Sequence, residues 1–132
     1  MGNQSQNILR VMIFGTFDGL HPGHVFVIEQ ARTHGRVTAI VARDENVLRI
    51  KGRLPKQPEA VRVQAIESRF PDVSAVLGDP EDFLKPLRAA KPDRILLGYD
   101  QRLPPGVTEA DFGCPVQRLP AHEPQKWKSS LL

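Results

Sequence analysis

The chain has 132 residues, 40% hydrophobic and 25% charged, which suits one packed domain and excludes a disordered, fibrous or two-core protein. A net charge of +3 with 6% aromatic residues and no dense Lys/Arg stripe fits anionic small molecules and argues against a nucleic-acid-binding surface. One cysteine, Cys114, excludes an internal disulfide framework, and no apolar run approaches a signal peptide or the ~20 residues of a membrane span, so a soluble cytoplasmic protein without membrane or nucleic-acid partners is expected.

Residues 1–7 are polar and predict a disordered tail ahead of one domain at 8–132. ILRVMIF at 8–14 is apolar, rich in β-formers and closed by Gly15, which predicts a buried parallel strand. The loop GTFDGLHP leads into a helix that starts near Pro22, a residue tolerated in a first turn, and stops at Gly35. RVTAIVA at 36–42 predicts a second strand. The polar, basic stretch RDENVLRIKGRLPKQP predicts a functional loop carrying one helical turn. Glu59 to Phe70 predicts an amphipathic helix with Val61, Ala65, Ile66 and Phe70 inward and Arg62, Gln64, Glu67 and Arg69 outward. VSAVLG at 73–78 and DRILLG at 93–98 predict two more strands, with a helix at 80–90 between them that contains Pro86. PVQRLP at 115–120 predicts a short edge strand, since prolines flank it. Such alternation specifies an α/β domain with a parallel sheet, right-handed crossovers and helices on both faces. Ligands in such sheets bind at the carboxyl ends of the strands, so the loops after residues 14, 42, 78 and 98 should line one site.

Four segments carry chemistry. The first is Gly15-Thr16-Phe17-Asp18-Gly19-Leu20-His21-Pro22-Gly23-His24, between the first strand and the first helix. Its glycines let backbone approach a ligand, and amides at the helix start favour an anion. His21 and His24 sit on one side of that start, so the segment predicts a polyphosphate pocket with donors aimed at developing negative charge. Neither Walker A nor GxGxxG spacing is present, which removes support for kinase and dinucleotide readings. No third ligand with suitable spacing joins the two histidines, so no protein-held metal is expected. The second segment is Arg49-Ile50-Lys51-Gly52-Arg53. Basic clusters are more often solvated surface, but its place after the second strand favours a cationic clamp on a charged leaving group. The third is Leu97-Gly98-Tyr99-Asp100-Gln101, where Gly98 admits a base or ribose and the Asp100 carboxylate accepts hydrogen bonds from a ribose or an exocyclic amine. The fourth, Lys126-Trp127-Lys128-Ser129-Ser130, supplies hydroxyls and ammonium groups suited to a phosphate, in a region where chain ends commonly fray.

The first segment resembles the signature of the cytidylyltransferase-like nucleotidyltransferase superfamily, with its HxGH motif. The resemblance spans about residues 10 to 131 and implies a Rossmann-like domain. It implies that the backbone of Gly15, Thr16, Phe17 and Asp18, together with His21 and His24, holds the NTP phosphates. Gly23 would permit close approach, Thr16 and Asp18 would shape the loop, and magnesium would accompany the nucleotide. It further implies catalytic roles for His21, His24 and Lys51, a nucleotide-binding arginine at Arg62, phosphate contacts from Lys128, Ser129 and Ser130, and a homodimer. RIKGRLP, VLGDPED, KPDRILLGYDQ and WKSS are similar to the archaeal-type FAD synthetases, which implies AMP transfer from ATP to FMN.

Such a reaction needs no nucleophilic side chain, and no nucleophile elbow of the GxSxG type is present. Two other acceptor classes remain: glycerol 3-phosphate with CTP, although the Arg-Thr-x-Gly-Ile-Ser-Thr-Thr segment of those enzymes is absent, and sugar phosphates. A nucleotide-binding sensor without turnover is the non-enzymatic alternative. Pyrophosphate release separates it from the others.

Overall fold

The computed structural model describes residues 8–121. The expected tail at 1–7 and the Lys128-Ser129-Ser130 segment lie outside the described residues.

Strand β1 (Leu9–Gly15) buries Val11, Met12, Ile13 and Phe14 in succession. Four consecutive buried side chains need cover on both sheet faces, and an unbroken apolar run is the mark of such a strand. Helix α1 (Pro22–His34) follows, then β2 (Gly35–Val41) in register with β1 from Leu9 opposite Gly35 to Gly15 opposite Val41. Next come α2 (Asp44–Lys51), α3 (Glu59–Arg69), β3 (Ser74–Leu77), α4 (Lys85–Ala90), β4 (Arg94–Leu97), a 3-10 turn (Glu109–Phe112) and β5 (Val116–Arg118). All four pairings are parallel, and the strand order is β3-β2-β1-β4-β5.

The chain steps outward from β1 to β3, then returns past β1 to β4. Right-handed crossovers must therefore send α1 and α3 to one face and α4 to the other, and the alternation of side chains follows suit. Val11 and Ile13 pack with Ile28 and Ala31 of α1 and Ile66 of α3. Met12 and Phe14 pack with Leu87 of α4 and Phe112 of the 3-10 turn. Between β1 and β4 the strand order reverses, and there a doubly wound sheet opens its ligand crevice.

Three expectations need correction. The stretch after β2 is not a loop with one turn: α2 runs for eight residues. Asp44 and Glu45 begin it and Arg49 and Lys51 end it, charges that suit the helix dipole, and Gly52 closes it with φ +79°. The helix expected at 80–90 begins only at Lys85, with Pro86 in its first turn. Proline lacks the N–H an interior position needs, so residues 79–84 form a turn, in which the Asp79 carboxylate accepts from the amides of Glu81 and Asp82. In α3 the inward stripe is shifted. Arg62, Ile66 and Phe70, four residues apart, are the buried line, and Val61 is exposed. Arg62, expected outward, has 0% exposure. Its charge is tolerated there because three protein oxygens receive its N–H groups.

Candidate active site

The carboxyl end of β1 runs into a tight loop in which Phe17 and Leu20 adopt positive φ, 54° and 41°. Side chains rarely hold that conformation without surrounding support, and here the support is explicit. The Asp18 carboxylate accepts from the amides of Lys56 (2.8 Å) and Gln57 (3.0 Å). The Gly19 amide donates to Gln57 Oε1 at 3.2 Å. Burial pushes the Asp18 carboxyl upward, but those two amides and the charges of Arg62 and Lys56 outweigh it and hold the group below its ordinary value. Phe17 turns its ring into the core, 2% exposed, so this residue offers a ligand only its backbone.

Beneath the loop lies Arg62. Its Nε donates to the Gln57 carbonyl (2.9 Å), one terminal nitrogen to the Thr16 carbonyl (2.8 Å) and the other to Asp44 Oδ1 (2.6 Å). One guanidinium thus ties the first loop, the start of α2 and the approach to α3. Asp44 and Glu59 add a reciprocal pair, each carboxylate accepting from the other's amide. Lys51, at the last turn of α2, brings Nζ to 3.3 Å from Thr16 Oγ1. Arg49, also of this cluster, points away and donates toward the Pro80 carbonyl at 3.5 Å.

His21 is the N-cap of α1. Its Nδ1 accepts from the amides of Gly23 (3.1 Å) and His24 (3.3 Å). An accepting Nδ1 carries no proton, which puts the ring proton on Nε2. The His21 and His24 rings stack, with centroids 3.7 Å apart and planes 17° from parallel, and Phe17 meets His24 edge-on at 5.5 Å. A Cβ on Gly23 would lie 2.8 Å from His21 Cε1, so only glycine leaves this stack undisturbed. Burial, reinforced by the adjacent His21 and by Lys51, lowers the His24 pKa to about 4. His24 is therefore a neutral imidazole near pH 7, and its Nδ1 is buried without a hydrogen-bond partner. Two imidazoles, an ammonium and a helix N-terminus can together donate to a polyphosphate.

On the other side of β1, the turn Gly98-Tyr99-Asp100-Gln101 abuts the same crevice. Gln101 Nε2 donates to the Phe14 carbonyl at 2.8 Å, and a Cβ on Gly98 would lie 3.8 Å from Val27 of α1. The structure therefore brings Gly15, Thr16, Phe17, Asp18, His21, Gly23, His24, Lys51, Gly98, Tyr99 and Asp100 to one end of the sheet. Arg62 lies under that surface rather than on it. Sequence reasoning missed Asp44, Gln57 and Arg118. Asp44 alone had a local signal, an acidic residue opening a helix. A recess of about 320 Å³, lined by Leu84, Lys91 and Phe112 among others, lies away from the histidines. Polyphosphate sites are built on open backbone and charge, so the histidine loop outranks that recess as the reactive centre. No three His, Cys, Asp or Glu side chains converge on a metal site among the described residues, and no described helix is long and apolar enough to cross a membrane.

The cytidylyltransferase-like family model matches residues 12–112. A FAD synthase of Methanopyrus kandleri is 41% identical over 123 residues, covering 86% of this chain and 81% of that protein. A FAD synthase of Methanosarcina mazei is 41% identical over 119 residues, covering 86% and 78%. Among solved structures, the lipopolysaccharide core biosynthesis protein of Thermoplasma volcanium GSS1 is similar at a TM-score of 0.78 and 30% identity, covering 89% of this chain and 100% of that one.

Proposed function

The chain belongs to the cytidylyltransferase-like family, and we propose that it transfers AMP from ATP to FMN to give FAD and pyrophosphate. FAD synthases of about 40% identity over most of the chain support this acceptor and this nucleotide. A phosphate oxygen of FMN attacks the α-phosphorus of ATP in line. The new P–O bond forms as the bond to the oxygen bridging the α- and β-phosphates breaks, and pyrophosphate leaves with the charge. A phosphate monoester is largely ionised at pH 7, so the attack needs no general base. Positioning and charge neutralisation supply the catalysis.

The observation that carries this proposal is the stacked His21/His24 pair at the N-terminus of α1, with its proton on His21 Nε2 and Lys51 beside Thr16. In this proposal His21 and His24 donate hydrogen bonds to the departing pyrophosphate and the Lys51 ammonium offsets its charge. The backbone of Gly15, Thr16, Phe17 and Asp18 holds the triphosphate, with Gly23 giving it room. Gly98, Tyr99 and Asp100 take the nucleoside, and Lys128, Ser129 and Ser130 add phosphate contacts. Arg62 acts on the nucleotide through the loop it holds. In this scheme magnesium would enter with the nucleotide and offset phosphate charge. A cytoplasmic homodimer completes the proposal, and light scattering tests the dimer.

The deciding experiment incubates the protein and magnesium with ATP or CTP, each with FMN, glycerol 3-phosphate or a sugar phosphate, and resolves the products by chromatography. FAD formed from ATP and FMN is expected. CDP-glycerol or a nucleotide sugar in its place would overturn the acceptor, and ATP binding with no pyrophosphate release from any acceptor would overturn the enzyme.

A further inference from the structure

We infer that Gln101 and Arg118 are positioning residues for the nucleoside half of the nucleotide, acting through the turn at residues 98–101. The inference rests on the nucleotide site proposed above. At the point where β1 and β4 part, each strand end has a backbone group with no ladder partner. The Gln101 side chain takes one from each: Nε2 donates to the Phe14 carbonyl at 2.8 Å, and Oε1 accepts from the Gly98 amide at 3.0 Å. Arg118, from the edge strand β5, donates through one terminal nitrogen to the Gly98 carbonyl (2.9 Å) and the Gln101 carbonyl (2.8 Å). Gln101 N closes the turn on Gly98 O at 3.2 Å.

The polar backbone at both ends of this turn is thereby engaged inward. What the turn offers outward is the side chains of Tyr99 and Asp100, both exposed. Tyr99 is the one exposed Phe, Tyr or Trp ring among the described residues. A ring beside a carboxylate, at the reversal point of a parallel sheet and next to a phosphate loop, matches a purine that stacks and a ribose whose hydroxyls donate. A two-sided clamp sets where that pair stands relative to the phosphates, so the binding energy is not spent on ordering the turn. Both clamp residues lie more than a strand's length from the histidines in sequence, and neither would touch the reacting atoms.

The test measures ATP affinity by calorimetry without acceptor, and KM for ATP and for FMN in FAD formation. Gln101→Met keeps the bulk and loses both hydrogen bonds. It is expected to raise the ATP Kd and KM about tenfold, the scale of one or two lost hydrogen bonds, with KM for FMN unchanged. Arg118→Met should move in the same direction, and Arg118→Lys, which keeps a multi-proton donor, should recover most of the loss. Unchanged ATP affinity in folded Gln101→Met, or an equal rise in both KM values, overturns the inference while leaving FAD synthesis standing. A wild-type chain that makes no FAD but loses ATP affinity on the same substitutions overturns the acceptor and keeps the clamp. A wild-type chain that binds no ATP sinks both.

Discussion

The two sides of β1 hold their halves of the site by different physics. On the β2 side the anchor is a charge: Arg62, with 0% exposure, holds Thr16, Gln57 and Asp44 together. On the β4 side the anchors are a neutral amide, Gln101, and the partly exposed Arg118. Removing one member of a buried ion pair strands the other, whereas removing a neutral hydrogen bond near solvent costs far less. The histidine loop is thus tied to the stability of the domain, and the turn at residues 98–101 can vary with little effect on folding.

His21 stands on the seam between the two sides, and its loss should have the largest effect. His21→Ala is expected to lower kcat by about 10²–10³-fold, the cost of one preorganised donor at developing charge. His21→Asn restores a good N-cap without the Nε2 donor. If it recovered the rate, capping rather than charge stabilisation would be the role of this residue, and rapid-quench assays would show it. Arg62→Met should destabilise the fold by about 3 kcal/mol in urea unfolding. That is the lower end for a broken buried pair, because the Asp44 side chain keeps 33% exposure to water. Activity should fall with it. A variant that lost activity at full stability would break the comparison, by making Arg62 a ligand rather than an anchor.

Smaller effects sharpen the same contrast. His24 has a folded pKa of about 4 against an ordinary 6.5, chiefly through burial. Between those values the unfolded chain binds a proton that the folded chain does not. Its contribution to stability is therefore complete above pH 6.5 and falls as the pH drops toward 4. Urea midpoints measured from pH 7 to pH 4.5 should fall less steeply in His24→Gln than in the wild type. The smallest effect belongs to Val61, which has 44% exposure on α3. Val61→Ser should stay within about 0.5 kcal/mol of wild type, one residue away from a substitution expected to cost about six times as much.

The strand-loop-helix opening, the parallel alternation and the histidine loop were legible in the sequence because their signals are local. An apolar run, a glycine, a proline or a two-histidine spacing acts over about ten residues, and each pointed to the same α/β answer. Helix α2 and the late start of α4 were harder, because α2 is short and mostly polar and buries only Val47, and because a proline inside a helical pattern does not announce whether it ends a helix or begins one.

By itself, then, the sequence determined that this is a parallel α/β domain with a glycine- and histidine-bearing loop after its first strand. Tertiary structure alone decided which polar residues turn inward to hold that loop. Arg62 reads as a surface arginine until Thr16, 46 residues earlier, and Asp44, 18 residues earlier, arrive beside it. Gln101 reads as an ordinary turn residue until folding brings the Phe14 carbonyl, 87 residues away, within hydrogen-bonding reach. Burial of a polar group is stable only when its partners are present, and chain positions so far apart become partners only when the sheet closes.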